Sequence, residues 1–101
     1  MKQALCALAD VPTDGAKKVD FFGREALVYR QGSEVKAALA ICPHLGGPLE
    51  LKGGELVCPW HGARFDAASG ACRHGPAAPE SKAMLLPTRV EQGVLNYVWG
   101  E

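Results

Sequence analysis

The sequence predicts an all-β domain. Apolar residues fall in short runs of about four to eight, each closed by glycine, proline or Asn/Asp turn signals, the grammar of strands and hairpins. Twelve glycines and seven prolines among 101 residues interrupt the chain too often for long helices. No stretch sustains helical periodicity for three turns. The interruptions are densest between Cys42 and Gly75, where Gly46-Gly47, Gly53-Gly54, Gly62 and Gly70 occur with Pro43, Pro48 and Pro59. Strands there must be short. A region held mainly by turns is marginal without a staple, and a metal centre supplies one.

In chain order, Gln3 to Ala9 reads as a first strand, with Val11-Pro12-Thr13-Asp14-Gly15 as the turn after it. Lys18 to Phe22 and Glu25 to Arg30 read as the second and third strands. Gln31-Gly32-Ser33 is a hairpin signal leading into Glu34 to Ile41. Ala37 to Ala40 would suit a helix on propensity alone, but the hairpin before it and Pro43 after it limit the run to strand length. Within the glycine-rich region, Glu55 to Cys58, Ala63 to Asp66 and Ala71 to Arg73 are expected as short strands. Gly75 to Lys82 is a proline- and alanine-rich connector. Leu85 to Val90 then reads as one strand, Glu91-Gln92-Gly93 as a turn, and Val94 to Trp99 as a final strand with apolar residues on both faces.

Composition bounds the function. A chain that is 48% hydrophobic and 22% charged is one folded domain with a modest core, residues 1–101. Eleven basic residues balance eleven acidic ones, and no block of like charge suggests a nucleic acid or a membrane as partner. The first ten residues carry a short apolar run broken by Asp10, too brief for a secretory signal or a membrane span. A soluble, cytoplasmic monomer is the expectation. There is no Gly-x-Gly-x-x-Gly after a strand and no nucleophile elbow. The three histidines are too closely tied to the loops for a separate mononuclear-iron triad. The chain is expected to carry something for an enzyme, with no catalytic residues of its own.

Four cysteines would allow two disulfides. However, Cys42 and Cys58 each sit beside a histidine in a Gly/Pro-rich loop, which points to metal. Cys42-Pro43-His44-Leu45-Gly46-Gly47 and Cys58-Pro59-Trp60-His61-Gly62 each offer one sulfur and one nitrogen, and 13 residues separate His44 from Cys58. In a mixed sulfur–nitrogen iron cluster, two thiolates bind one iron and two imidazoles the other. Cys42 and Cys58 would take the first iron, His44 and His61 the second. The rival reading is a structural zinc site, which a Cys₂His₂ set also suits, although the C-x-H pairing is unusual for zinc fingers.

The pattern C-x-H, 13 residues, then C-x-x-H-G resembles the Rieske [2Fe-2S] family, most closely the ferredoxin components of aromatic-ring-hydroxylating dioxygenase systems. The resemblance covers nearly the whole chain; Gly62-Ala63-Arg64-Phe65-Asp66 with Ser69-Gly70, and Pro87 to Val94, add to it. It implies the Rieske fold, an antiparallel β base with a small inserted cluster-binding subdomain at residues 42–75. It also implies one [2Fe-2S] cluster held by Cys42, His44, Cys58 and His61. The expected role is one-electron transfer from an NAD(P)H-dependent flavoprotein reductase to a terminal non-haem iron oxygenase, in aromatic hydrocarbon catabolism. A redox-sensing or accessory subunit of another oxidoreductase is the alternative. The respiratory branch of the family has a disulfide over the cluster and two hydroxyl side chains near its sulfurs. Gly47 and Trp60 stand here at the disulfide positions, Ala63 and Phe65 at the hydroxyl positions. A midpoint potential toward the low end of the roughly −150 to +300 mV range follows.

Other residues have simpler readings. Cys72-Arg73-His74 repeats the C-x-H spacing without a C-x-x-H behind it, and reads as a free thiol and a surface histidine. Cys6 reads as a small core residue. Trp60 and Leu45 either cover the cluster or form an apolar docking patch, and Pro43 and Pro59 fix loop shape. Asp66 ends a strand or caps a turn. Phe21, Phe22, Tyr29, Phe65, Tyr97 and Trp99 read as core, and Lys17-Lys18 as a solvated pair.

Overall fold

The computed structural model describes residues 1–41, 48–60, 62–74 and 82–100. Among these the regular structure is almost entirely β. The strands are β1 (Lys2–Ala7), β2 (Ala16–Phe21), β3 (Arg24–Gln31), β4 (Glu34–Leu39), β5 (Glu50–Lys52), β6 (Glu55–Val57), β7 (Arg64–Asp66), β8 (Cys72–His74), β9 (Leu85–Leu86), β10 (Thr88–Glu91) and β11 (Val94–Val98), with one 3₁₀ turn at Leu8–Asp10. They form three antiparallel sheets, ordered β1-β11-β10, β2-β3-β4-β9 and β5-β6-β7-β8.

The middle sheet is covered on both faces. In β3, Ala26, Leu27, Val28 and Tyr29 are all buried. Because side chains alternate along a strand, Ala26 and Val28 join Leu39, Leu86 and Leu95 in a core shared with the β1-β11-β10 sheet. Leu27 and Tyr29 point the other way, into a core with Leu56 and Phe65 of the small β5-β6-β7-β8 sheet and with Leu49 and Cys58 at its strand ends. This double cover explains the alanine run in β4. Ala37 and Ala38 are buried on opposite faces, where small side chains let the layers approach, and tertiary packing overrides their helix propensity.

Three expectations need correction. Leu85 to Val90 is two strands in different sheets: β9 pairs with β4 and β10 with β11. Pro87 makes the break. It has no N–H for a ladder, and its carbonyl accepts from the N–H of Val98 at 3.1 Å. Phe22 is not core but 64% exposed. It forms the two-residue β2–β3 turn with Gly23, and both residues have positive φ, 51° and 86°, the backbone that joins twisted strands tightly. Phe21 and Tyr97 do pack against the Val28–Leu95 core, as expected, though they and Trp99 are half-buried. Phe21 meets Tyr97 edge-on at 4.7 Å and Tyr97 stacks on Trp99 at 5.1 Å, closing the open end of the sandwich. Finally, β5 was not anticipated, although the Gly53-Gly54 turn that pairs it with β6 was visible in the sequence.

Candidate metal centre

Of the four proposed ligands, Cys58 lies among the described residues, whereas Cys42, His44 and His61 lie outside them. Cys58 follows directly on β6 and is completely buried. Its N–H donates to the carbonyl of Ala63 at 2.9 Å, and its carbonyl accepts from the N–H of Gly62 at 2.8 Å. Both backbone groups of Cys58 are thereby satisfied within the turn, which leaves the side chain to the interior. Gly62 takes φ 75°, a conformation that favours glycine and lets the chain reverse into β7. Between them, Pro59 and Trp60 face solvent, Trp60 being 62% exposed. Of the two roles open to Trp60, cover over the site or part of a surface patch, this exposure favours the second.

The first ligand segment starts and ends at neighbouring points. Ile41 and Pro48, which flank it, form an antiparallel bridge, and the N–H of Leu49 donates to the carbonyl of Ala40 at 3.3 Å. Ala40, Leu49 and Cys58 belong to one buried cluster. The stem of the first segment and the turn of the second are therefore rooted in the same core.

The small sheet is tied to the base by contacts that the sequence reading did not find. The Tyr29 hydroxyl, buried on β3, donates to the carbonyl of Ala67 at 2.7 Å. Burial, with help from the nearby Asp66 carboxylate, pushes the phenol pKa up, so it remains a donor. Gly70 accepts from the N–H of Ala83 at 2.8 Å. A side chain at Gly70 would bring its Cβ to 2.7 Å from the carbonyl oxygen of Ala83, so this crossing needs glycine. Asp66 caps the turn after β7, accepting from the N–H groups of Ala68 at 2.6 Å and Ser69 at 3.2 Å. It also pairs with Arg73 on β8. The Arg73 hydrogen bond leads the backbone donors in holding its carboxyl below the usual range.

The remaining candidates fall into place more simply. Cys72 is half-buried on β8, its sulfur 4.0 Å from the carbonyl of His74, and His74 is exposed. No two of Cys6, Cys58 and Cys72 are joined to each other. Cys6 is half-buried against the Val28–Leu95 core, and burial raises its thiol pKa. Ala63 and Phe65, next to the Cys58 turn, are completely buried and bring no hydroxyl to it. Leu45 and Pro43 lie outside the described residues.

The donor chemistry fits a mixed-ligand iron cluster. A buried sulfur is costly as a bare thiolate but not as a metal ligand, and two thiols with two imidazoles match the two-plus-two division of such a centre. Comparison with known proteins adds to this. Residues 1–92 match the family model described as Rieske [2Fe-2S] domain. The chain is 40% identical over 80 residues to the oxygenase component of dicamba O-demethylase from Stenotrophomonas maltophilia, covering 71% of this chain and 23% of that one. This chain therefore spans about a quarter of that relative's length. It is 28% identical over 88 residues to the ferredoxin component of the naphthalene 1,2-dioxygenase system of Pseudomonas aeruginosa, covering 84% and 83% of the two chains. Its structure superimposes on a Sphingomonas yanoikuyae B1 ferredoxin with TM-score 0.82 and 25% identity, over 99% and 100% of the two chains. Among the described residues no helix is long and apolar enough to cross a membrane.

Proposed function

The chain belongs to the Rieske [2Fe-2S] domain family and carries one such cluster, and from that premise we propose that it is a one-electron carrier of the ferredoxin type. The observation that carries the proposal is the end-to-end superposition on a ferredoxin, over 99% of this chain and 100% of that one. Cys42 and Cys58 are assigned to one iron, His44 and His61 to the other, and residues 42–75 to the cluster-binding unit. When bound, the cluster cycles between two oxidation levels one electron apart. The chain's own residues keep Cys58 dry, fix its backbone through Gly62 and Ala63, and anchor both ligand segments on one core. With Ala63 and Phe65 in place of hydroxyl side chains, fewer hydrogen bonds favour the reduced state. A midpoint above about +100 mV would contradict that part of the reading.

The proposed route runs from an NAD(P)H-dependent flavoprotein reductase, through this chain, to a terminal non-haem iron oxygenase in the cytoplasm. A second reading draws on the higher identity to an oxygenase component: an electron-transfer domain inside a larger oxygenase. The mass of the protein isolated from its native cells separates the two.

The test of the centre is electron paramagnetic resonance of the dithionite-reduced protein, with metal analysis of the same sample. A rhombic signal with average g below the free-electron value and two irons per chain is expected. A silent sample holding zinc would make the chain a structural module instead. Exchange of Cys58 for serine should abolish the signal.

A further inference from the structure

Six of the chain's eleven lysines and arginines are ion-paired: Lys2 with Glu91, Lys36 with Glu34, Lys52 with Glu50, Arg64 with Glu55, Arg73 with Asp66 and Arg89 with Glu91. Arg30 donates to the carbonyls of Val11 and Leu8. Arg24 and Lys82 make no ion pair with a described carboxylate, and both line a single cavity of about 140 Å³ with Leu39, Ile41 and Met84. Leu39 is buried, whereas Met84 is 59% exposed. A pocket with an apolar lining and two cations that form no ion pair with a described carboxylate suits an apolar group that brings negative charge with it. Cavities of about 150 Å³ accept a benzene-sized group, so there is room for one branched or aromatic side chain. Carboxylates beside that side chain would meet the Arg24 fork and the Lys82 ammonium. The adaptable thioether of Met84 suits a surface that is uncovered at some times and covered at others. A larger cleft of about 580 Å³ beside Arg30 and Lys36 lacks this character, because both cations are already engaged.

We propose that the Arg24–Leu39–Ile41–Lys82–Met84 cavity is the docking point for an acidic protein partner, seating one apolar side chain flanked by carboxylates. The proposal rests on the carrier reading. It adds the chemistry of the partner's contact surface and a place for it. Ile41 directly precedes Cys42, and adjacent Cα atoms are about 3.8 Å apart, so a partner seated here touches the residue bonded to a proposed ligand.

The chain has two methionines, Met1 and Met84, and only Met84 lines the cavity. Methyl-labelled oxidised holoprotein is titrated with a capped Glu-Leu-Glu peptide and with Lys-Leu-Lys as control, following both methyl signals by NMR. The Met84 signal should move saturably with the acidic peptide alone, and Met1 should stay in place. Added salt should weaken the binding. The double variant Arg24→Gln/Lys82→Gln should weaken it about tenfold or more. Oxidation of the reduced protein by ferricyanide moves one electron, with no proton, to give ferrocyanide. It should slow several-fold in the double variant with the paramagnetic signal unchanged. Equal shifts with both peptides, no shift, a Met84 shift with protein concentration alone, or indifference to the double variant each overturn the docking site. If the paramagnetic signal is intact in that case, the carrier reading survives; if no cluster is found, both fall.

Discussion

The two halves of this molecule are stabilised differently. The base sandwich has strands of up to eight residues, and its inner face packs Val11, Val28, Leu39, Leu86 and Leu95 together. The small sheet has four strands of three residues each, and its own large buried side chains are few, chiefly Leu56 and Phe65. Burying a side chain of that size contributes about 1.5–3 kcal/mol, while ordering each residue's backbone costs about 1–2 kcal/mol. Two such side chains cannot order a dozen strand residues. The small sheet therefore depends on surface lent by β3 and β4, through Leu27, Tyr29 and Ala38, and, on the proposed ligand set, on the cross-link a metal centre would make between its loops. One half is held by area, the other by a staple and straps.

The largest expected effect breaks this comparison at the staple. Exchange of Cys58 for alanine should cost the cluster and raise hydrogen exchange at Leu56 and Phe65 by at least about a hundredfold, as several kcal/mol of ligand binding are withdrawn. Val28 and Leu95 should keep their protection. Equal loss in both halves would mean that they fold as one cooperative unit. A smaller effect tests the strap. Tyr29→Phe leaves the Ala67 carbonyl without its donor in a buried place, for about 1–3 kcal/mol. It should appear in thermal melts of the holoprotein and as faster exchange confined to the small sheet. A change near zero would show that water replaces the phenol.

The smallest effect concerns Asp66. Its carboxyl is held below the usual carboxylate range, first by the Arg73 hydrogen bond and then by the Ala68 N–H. A group whose folded pKa is depressed adds stability above its unfolded pKa and loses it as pH falls through the folded value. Wild type should therefore exceed Asp66→Asn in stability at neutral pH, slightly because the pair is exposed to solvent. The gap should close as pH falls through the depressed folded value. A gap that widens with acid would reverse the assignment. Chemical denaturation at several pH values measures it.

Local signals in the sequence proved reliable where the chemistry is itself local. Gln31-Gly32-Ser33 and Glu91-Gln92-Gly93 mark hairpins because positive φ at such turns favours few residues, and the structure has φ 63° at Gly32 and 75° at Gly93. The turn between Cys58 and Gly62 was legible for the same reason. Phe22 was misread because an aromatic residue usually signals a strand or a core. Its ring instead lies edge-on to Trp99 at 6.2 Å from an exposed turn, a contact no short window of sequence reveals. Leu85 to Val90 reads as one strand; Pro87 within it marks a break, but only the pairing of its halves with β4 and β11 shows that they join different sheets.

The sequence by itself carries the two proposed ligand segments, their spacing and most of the turns, because donor type and backbone conformation are properties of a few adjacent residues. Only the tertiary structure decided how β3 divides its side chains between two cores. The same holds for the Tyr29 hydroxyl reaching Ala67, 38 residues away, and for the bare Gly70 against Ala83. It also decided that Arg24 and Lys82 line one cavity with Leu39, Ile41 and Met84. Those outcomes depend on which distant surfaces are removed from water together, and that free energy belongs to the assembled fold rather than to any segment of it.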